Sequence, residues 1–281
     1  MKIKKYISKK LFIHIFIILF GILMIYPLLW MLSSSFKPDQ EIFNSVSFLP
    51  QDFTLENYFI GWRGISGYTF RTFFANSFII TFSVVIGTLI SSSMAAFAFS
   101  KLNFTFKKGF FVIMLGTLML PYHVRLIPQY ILFNYLGWIN TFLPLTIPRF
   151  FAVHGFFVFL LVQYMRTIPN EIMESAEIDG ANTFQIYWSL IMPLSVPALI
   201  TAGILTFIWT WNDFFTQLIY LNDTAKFTVS VALRMFVDAT SGSSWGSMFS
   251  MSILSITPLF IIFIFFQKYI VEGITAGSVK G

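Results

Sequence analysis

Residues 169–193 read PNEIMESAEIDGANTFQIYWSLIMP, an acidic island between long apolar runs. Glu171, Glu174, Glu177 and Asp179 lie within it, out of only 12 acids in 281 residues. Pro169 precedes Asn170, a good N-cap residue, and Glu171 falls in the first helical turn, where an anion suits the helix dipole. Gly180 supplies the stop, because glycine takes the left-handed C-terminal position cheaply. The helix between is about nine residues long, too short to hold alone, so it has to pack on something. At helical spacing Ile172, Met173 and Ala176 share one side, and Glu171, Glu174 and Ile178 fall on another. A second short helix starts at Asn182 or Thr183 and runs to Met192, stopped by Pro193. A helix lying on anionic lipid should be rich in lysine and arginine. This one is acidic, so a basic protein partner fits better than a membrane surface.

The surroundings of the island set the class. The chain is 57% apolar and 20% aromatic with 11% charged residues, and its mean hydropathy is +0.77. Soluble domains sit near a quarter charged. One all-α integral membrane domain accounts for this length. There is no cysteine, which excludes disulfides and thiolate metal sites. The net charge of +6 comes from cations beside apolar runs, the pattern of topology determinants and not of a nucleic-acid surface.

About 20 apolar residues cross the hydrocarbon core as a helix. Six spans are expected, near 11–33, 73–99, 109–128, 142–164, 198–220 and 249–267. The third is the least clean, with Pro121, His123, Arg125 and Pro128 crowding its far end. Lys2, Lys4, Lys5, Lys9 and Lys10 before the first run could open a secretory signal. The run is too long for that and no small-residue cleavage site follows Trp30, so it reads as an uncleaved span with its basic end inside. With the N-terminus inside, the inner segments hold eleven cations, including Lys101, Lys107, Lys108, Arg166, Lys268 and Lys280. The outer ones hold six: Lys37, Arg63, Arg71, Arg125, Lys226 and Arg234. Arg149 counts on neither side. Both termini are then cytoplasmic, and so is the acidic island.

The outer segments 34–72 and 221–248 are polar and turn-rich, too short for separate domains but long enough to form a surface. In the second span Ser83, Gly87, Ser91 and Ala95 recur every four residues on one face. Small residues let helix backbones approach in lipid, so this face reads as a helix–helix seam; a substrate path along it is the other reading.

Glu174-Ser175-Ala176, three residues, Gly180, nine residues and Leu190-Ile191-Met192-Pro193 resemble the "EAA" loop of bacterial ABC importer permeases, Glu-Ala-Ala, x3, Gly, x9, Ile-x-Leu-Pro. The pattern departs at Ser175, Leu190 and Met192. Ala95-Ala96-Phe97-Ala98-Phe99-Ser100-Lys101 is similar to the end of that family's second span. Trp211-Asn212-Asp213-Phe214 and the tail from Gln267 to Gly273, closing on Ala276-Gly277-Ser278-Val279-Lys280-Gly281, resemble its carbohydrate-uptake branch, most of all the maltose-type second permease.

The resemblance implies a type I (MetI-like) permease fold in a bacterial cell membrane. It divides the chain into residues 1–72 (first helix and outer loop), 73–267 (the core, with a coupling loop at 165–197) and 268–281 (a cytoplasmic tail). It implies a heterodimer with a second permease, two copies of a cytoplasmic ATPase and an extracytoplasmic solute-binding protein. Glu171, Glu174, Ser175, Ala176, Asp179, Gly180 and Pro193 then form the ATPase-coupling segment. The chain has no Gly-x-x-x-x-Gly-Lys-Ser/Thr loop, so it is expected to bind no cofactor, ATP and Mg being used by the partner. The expected cargo is an oligosaccharide, with glycerol phosphate or another polyol as the alternative.

Polar groups inside spans are costly and often functional. Trp209, Trp211, Asn212 and Asp213 therefore stand as a candidate substrate path, or as an ordinary aromatic interface belt. His14, His123 and His154 lack ligand spacing, so no metal site is expected. Gly242-Ser243-Ser244-Trp245-Gly246 fits Gly-x-Ser-x-Gly literally, but it lies in a polar loop without a strand–turn–helix context, and all three histidines precede it. That argues against an intramembrane serine protease, and a channel leaves the capped acidic helix unexplained.

Overall fold

The computed structural model describes residues 2–237 and 244–276, with side chains within 10–237 and 244–269. The tail 277–281 and residues Gly242 and Ser243 of the serine motif lie outside the described residues. The described residues form helices and one isolated bridge, Ile65 to Tyr68. The described residues fall into two compact units, one of residues up to 70 with those between 233 and 256, the other of residues 71–232 with those from 257 onward.

In the first unit, α1 (Lys2–Ser34) exposes apolar side chains around most of its circumference from Leu11 to Leu29, as a lipid-facing helix does. Two short helices follow, α2 (Asp39–Asn44) and α3 (Glu56–Arg63). Asn57 ties this segment together. Its Nδ2 donates to the carbonyls of Ser35 at 3.0 Å and Lys37 at 2.7 Å. Lys37, counted among the cations of the outer segments, is buried, with Nζ donating to the Ser47 carbonyl at 2.5 Å. Gly246 needs its missing side chain: a Cβ there would lie 2.4 Å from Asn57 Oδ1.

The second unit begins with α4 (Phe70–Lys101), which carries the predicted second span whole. Gly87 lies under the Phe150 ring, where a Cβ would come within 2.7 Å of it, and Ser91 Oγ donates to the Arg149 carbonyl at 2.8 Å. The small-residue face is thus a packing seam against the 147–151 turn.

The predicted third span is not one straight helix. It is α5 (Lys107–Leu118) and α6 (Tyr122–Tyr135), bent by 100°. Pro121 is the cause, since the residue before a proline avoids the helical region and Pro121 itself is extended, ψ 137°. The fourth span is assembled from α7 (Leu143–Thr146), a 3-10 turn Ile147–Phe151 and α8 (Gly155–Met165). Next come α9 (Glu171–Ile178) and α10 (Thr183–Ile186).

The helix after α10 does not stop at Pro193. It continues through a π-helical turn, Tyr187–Ile191, and α11 (Met192–Leu194), then bends 76° at Ser195 into α12 (Val196–Trp211). Proline has no N–H to give the helical ladder, and with the wider turn before it the path bends instead of ending. The fifth span is likewise interrupted: α12 ends at Trp211 and α13 (Phe215–Tyr220) follows. Further on lie α14 (Val229–Met235) and α15 (Trp245–Ala276). Among the described residues, four helical stretches have the length and apolarity to cross a membrane, and up to six if each bent pair makes one span.

Two apolar clusters organise the second unit. One joins Ala96 and Phe97 to Val158, Leu161, Val162 and Met165, and takes in Met173, Ile186 and Ile191. The other joins Ile80 and Val84 to Leu126, Phe133, Leu145 and Tyr220.

Candidate functional site

The acidic island folds as a short helix clipped to the first cluster by one face. Met173 is buried and Ala176 half-buried against it, whereas Ile172 turns outward and is exposed. Glu171, Glu174, Glu177 and Asp179 are all exposed, and beside them Ile178, Phe184 and Trp188 expose apolar surface. An acidic rim around bare aromatic and aliphatic groups is the make-up of a docking surface.

Gly180 ends the helix as its type predicts. Its φ is +86°, Gly180 N–H donates to the Glu177 carbonyl at 3.0 Å and Ala181 N–H to Ala176 at 2.9 Å. Those two bonds make a Schellman motif. Ser175 Oγ donates to the Glu171 carbonyl at 2.8 Å, and Asp179 N–H to the Ser175 carbonyl at 3.1 Å.

Asn170 does not cap the helix. Its backbone is helical and its Oδ1 accepts instead from Lys101 Nζ at 2.9 Å. Lys101 Nζ also donates to the Ile168 carbonyl, so the end of α4 holds the entry to α9. A charged donor from a distant helix has outcompeted the local backbone N–H for that amide oxygen. The next helix does cap itself: Asn182 Oδ1 accepts from Gln185 N–H at 3.0 Å and Gln185 Oε1 from Asn182 N–H at 2.8 Å. Tyr187 and Ser93 exchange a hydroxyl hydrogen bond at 2.7 Å, tying the π turn to α4. Pro193 is exposed just beyond that turn.

The candidate substrate-path residues separate. Trp211 is buried in an aromatic stack with Phe207, 5.5 Å between centroids, and Phe78, 4.8 Å. It lines neither of two cavities. Trp209, Asn212 and Asp213 line a cavity of about 510 Å³ together with Tyr122, His123 and Arg149. Trp209 also packs on Phe156 and Phe157 at 5.3 Å each.

Asp213 reaches a second, neighbouring cavity of about 190 Å³. Tyr122, Arg125, Gln129, Arg149, His154 and Tyr220 share its wall. Tyr122, Arg125 and Gln129 all come from α6, Arg149 from the 3-10 turn, and Tyr220 from α13. Arg149 rides on the 3-10 turn that Ser91 and Gly87 seat against α4. Asp213 is fixed where α12 breaks, its Oδ1 accepting from Thr216 N–H at 3.0 Å. Tyr122 and Thr216 share a hydroxyl bond at 2.9 Å. Arg149 and Asp213 attract each other electrostatically. Two donors on this wall, Arg125 Nε and the Tyr220 hydroxyl, are buried without a hydrogen-bond partner. The signal in the sequence was an arginine inside an apolar run, at 125 and at 149, which topology counting uses only as a marker of sides.

Residues 87–276 match the family described as binding-protein-dependent transport system inner membrane component. The chain is 37% identical over 270 residues to the probable ABC transporter permease protein YurM of Bacillus subtilis, covering 96% of this chain and 88% of that one. It is 34% identical over 278 residues to the trehalose/maltose transport system permease protein MalG of Thermococcus litoralis, covering 98% of both. Among solved structures, a bacterial ABC transporter involved in import of the acidic polysaccharide alginate superposes with TM-score 0.83 at 26% identity, covering 92% of this chain and 95% of that one.

Proposed function

The chain belongs to the family of binding-protein-dependent transport system inner membrane components, and on that premise we propose that it is a permease subunit of an ATP-driven importer for carbohydrate. Relatives named for trehalose and maltose, and a structural neighbour named for alginate, support the carbohydrate class. The subunit crosses the bacterial cell membrane six times, each bent pair making one span, with both termini in the cytoplasm.

The observation that carries the reading is α9. It is short, clipped to its own subunit by Met173 and by the Lys101 hydrogen bonds, and it presents acids and bare apolar groups to the outside. A cytoplasmic ATPase receives this helix, with Glu174 facing basic groups of the receiving groove. Closure of two ATPase copies pushes it, and the spans rock as rigid bodies between inward- and outward-facing states. A second permease completes the pathway, and an extracytoplasmic binding protein delivers the sugar. The chain itself contributes no phosphate loop, so ATP hydrolysis is the partner's chemistry.

The test is site-directed labelling with crosslinking. A cysteine at Glu177 in intact cells should resist an impermeant maleimide, react after permeabilisation, and crosslink to a co-purified ATPase. Labelling from outside the cell, or a purified complex without any ATPase, would sink the reading.

A further inference from the structure

The 190 Å³ cavity is polar out of proportion to its surroundings. It lies among residues of candidate spans, where ionisable groups are rare and face partners or a path. Its wall holds two guanidinium groups, Arg125 and Arg149, against one carboxylate, Asp213. One positive charge is therefore left over. A surplus cation in such a place is expensive unless something anionic visits it. The wall also holds two orphaned donors, Arg125 Nε and the Tyr220 hydroxyl, each buried and unbonded. Buried donors of this kind are normally satisfied, and both belong to residues of this wall. Even one water needs only roughly 10–15 Å³ of such space, so the cavity has room for a group far larger than a solvent molecule. Tyr122, Phe133 and Tyr220 add aromatic side chains to the lining.

We propose that this cavity is a substrate subsite for an acidic carbohydrate, a sugar bearing one carboxylate or phosphate that Arg125 and Arg149 hold. Guanidinium forks suit both oxyanions, since each offers paired acceptor oxygens. The seam of α4 is what keeps the site in register, because Ser91 and Gly87 seat the turn that carries Arg149. The inference rests on the importer reading above and narrows it.

The experiment uses the complete importer, both permeases, ATPase and binding protein, in proteoliposomes charged with ATP. Three pools are offered: neutral maltodextrins and arabino-oligosaccharides; digests of polygalacturonate and alginate; and glycerol 3-phosphate with glucose 1-phosphate. What enters is identified by mass spectrometry. Entry of an acidic solute is expected, the second pool naming a carboxylate and the third a phosphate. Arg125→Gln and Arg149→Gln should each raise KM for it about 10- to 100-fold, the loss of one or two charge-assisted hydrogen bonds. Arg149→Lys should recover part of that.

Uptake restricted to neutral sugars would overturn the subsite and leave the importer intact. So would uptake of an acidic solute with KM unchanged in both glutamine variants. Failure of those variants to assemble, with Arg125→Lys and Arg149→Lys assembling at wild-type KM, would assign the arginines to a subunit contact and equally overturn the subsite. Entry of nothing from any pool into liposomes holding an assembled, ATP-hydrolysing complex would instead remove the importer reading beneath it.

Discussion

Substitution at Gly180 tests the stop of α9 with unusual cleanness. A Cβ at Gly180 would meet nothing within 4 Å, so no clash contributes. What remains is the backbone, held at φ +86°. An L-residue in that region costs roughly 1–2 kcal/mol, least for asparagine and most for a β-branched residue. A chain that escapes the strain gives up the Gly180 and Ala181 hydrogen bonds, each worth about 1 kcal/mol net. Either route caps the penalty near ~2 kcal/mol, which is about 30-fold in the population of frayed helix ends, at ~1.4 kcal/mol per factor of ten. Met173 stays buried in all variants, so assembly should survive. Gly180→Asn should couple almost normally, Gly180→Ala partially, and Gly180→Val worst. The assay is substrate-stimulated ATP hydrolysis by the purified complex, normalised to complex recovered by size exclusion. Wild-type stimulation in an assembled Gly180→Val complex would refute the lever role of α9, and so would an order that places alanine below valine.

Gly87→Val should drive the Phe150 ring off α4, since a Cβ there would lie 2.7 Å from it; thermal unfolding in detergent should fall by an amount that Phe150→Ala partly restores in the double variant. Asn140, at φ +60°, accepts from the N–H groups of Asn222 at 3.1 Å and Asp223 at 3.0 Å. Asn140→Ala should cost about 2–3 kcal/mol in chemical unfolding, and Asn140→Gly should recover only the backbone share. Glu41 accepts from Gln51 N–H at 2.9 Å, which with Asp52 and Lys37 holds its carboxyl below the ordinary value of 4.5. The stabilisation from that loop contact is therefore complete above pH 4.5 and is lost as pH falls further, through the depressed native value. Glu41→Gln should flatten that acid limb in a melting-temperature titration, and an unchanged limb would assign it to other carboxylates.

The reach of the sequence follows the range of the forces involved. Gly180 and the Asn182–Gln185 box act within a few residues of themselves, and the four-residue seam of α4 repeats at helical spacing, so their chemistry is visible in the letters even though the seam's partner, the 147–151 turn, is not. Asn170 misled because Lys101, far away in sequence, bonds its side chain first. Pro193 misled because a stop and a bend share one signature, and the π turn that decides between them depends on the packing of Tyr187 and Ile191. The cavity was nearly illegible. Arg125, Arg149, Asp213 and Tyr220 come from four elements, and only folding through the bends at Pro121 and at Asn212 sets them on one wall. The path residues were half legible: Asp213 stood out as an acid in an apolar run, whereas the apolar fate of Trp211 required knowing that Phe74, Phe78 and Phe207 surround it.

The tie between Tyr187 and Ser93 has a mechanical corollary. Ser93 receives the segment that follows α9, and Ser91 grips the carbonyl of Arg149. The two serines are separated by about 3 Å of helical rise. On the coupling proposed above, a thrust arriving at α9 would enter α4 at Ser93 and leave it at Ser91, so its timing would follow from how stiffly that one helix resists twisting.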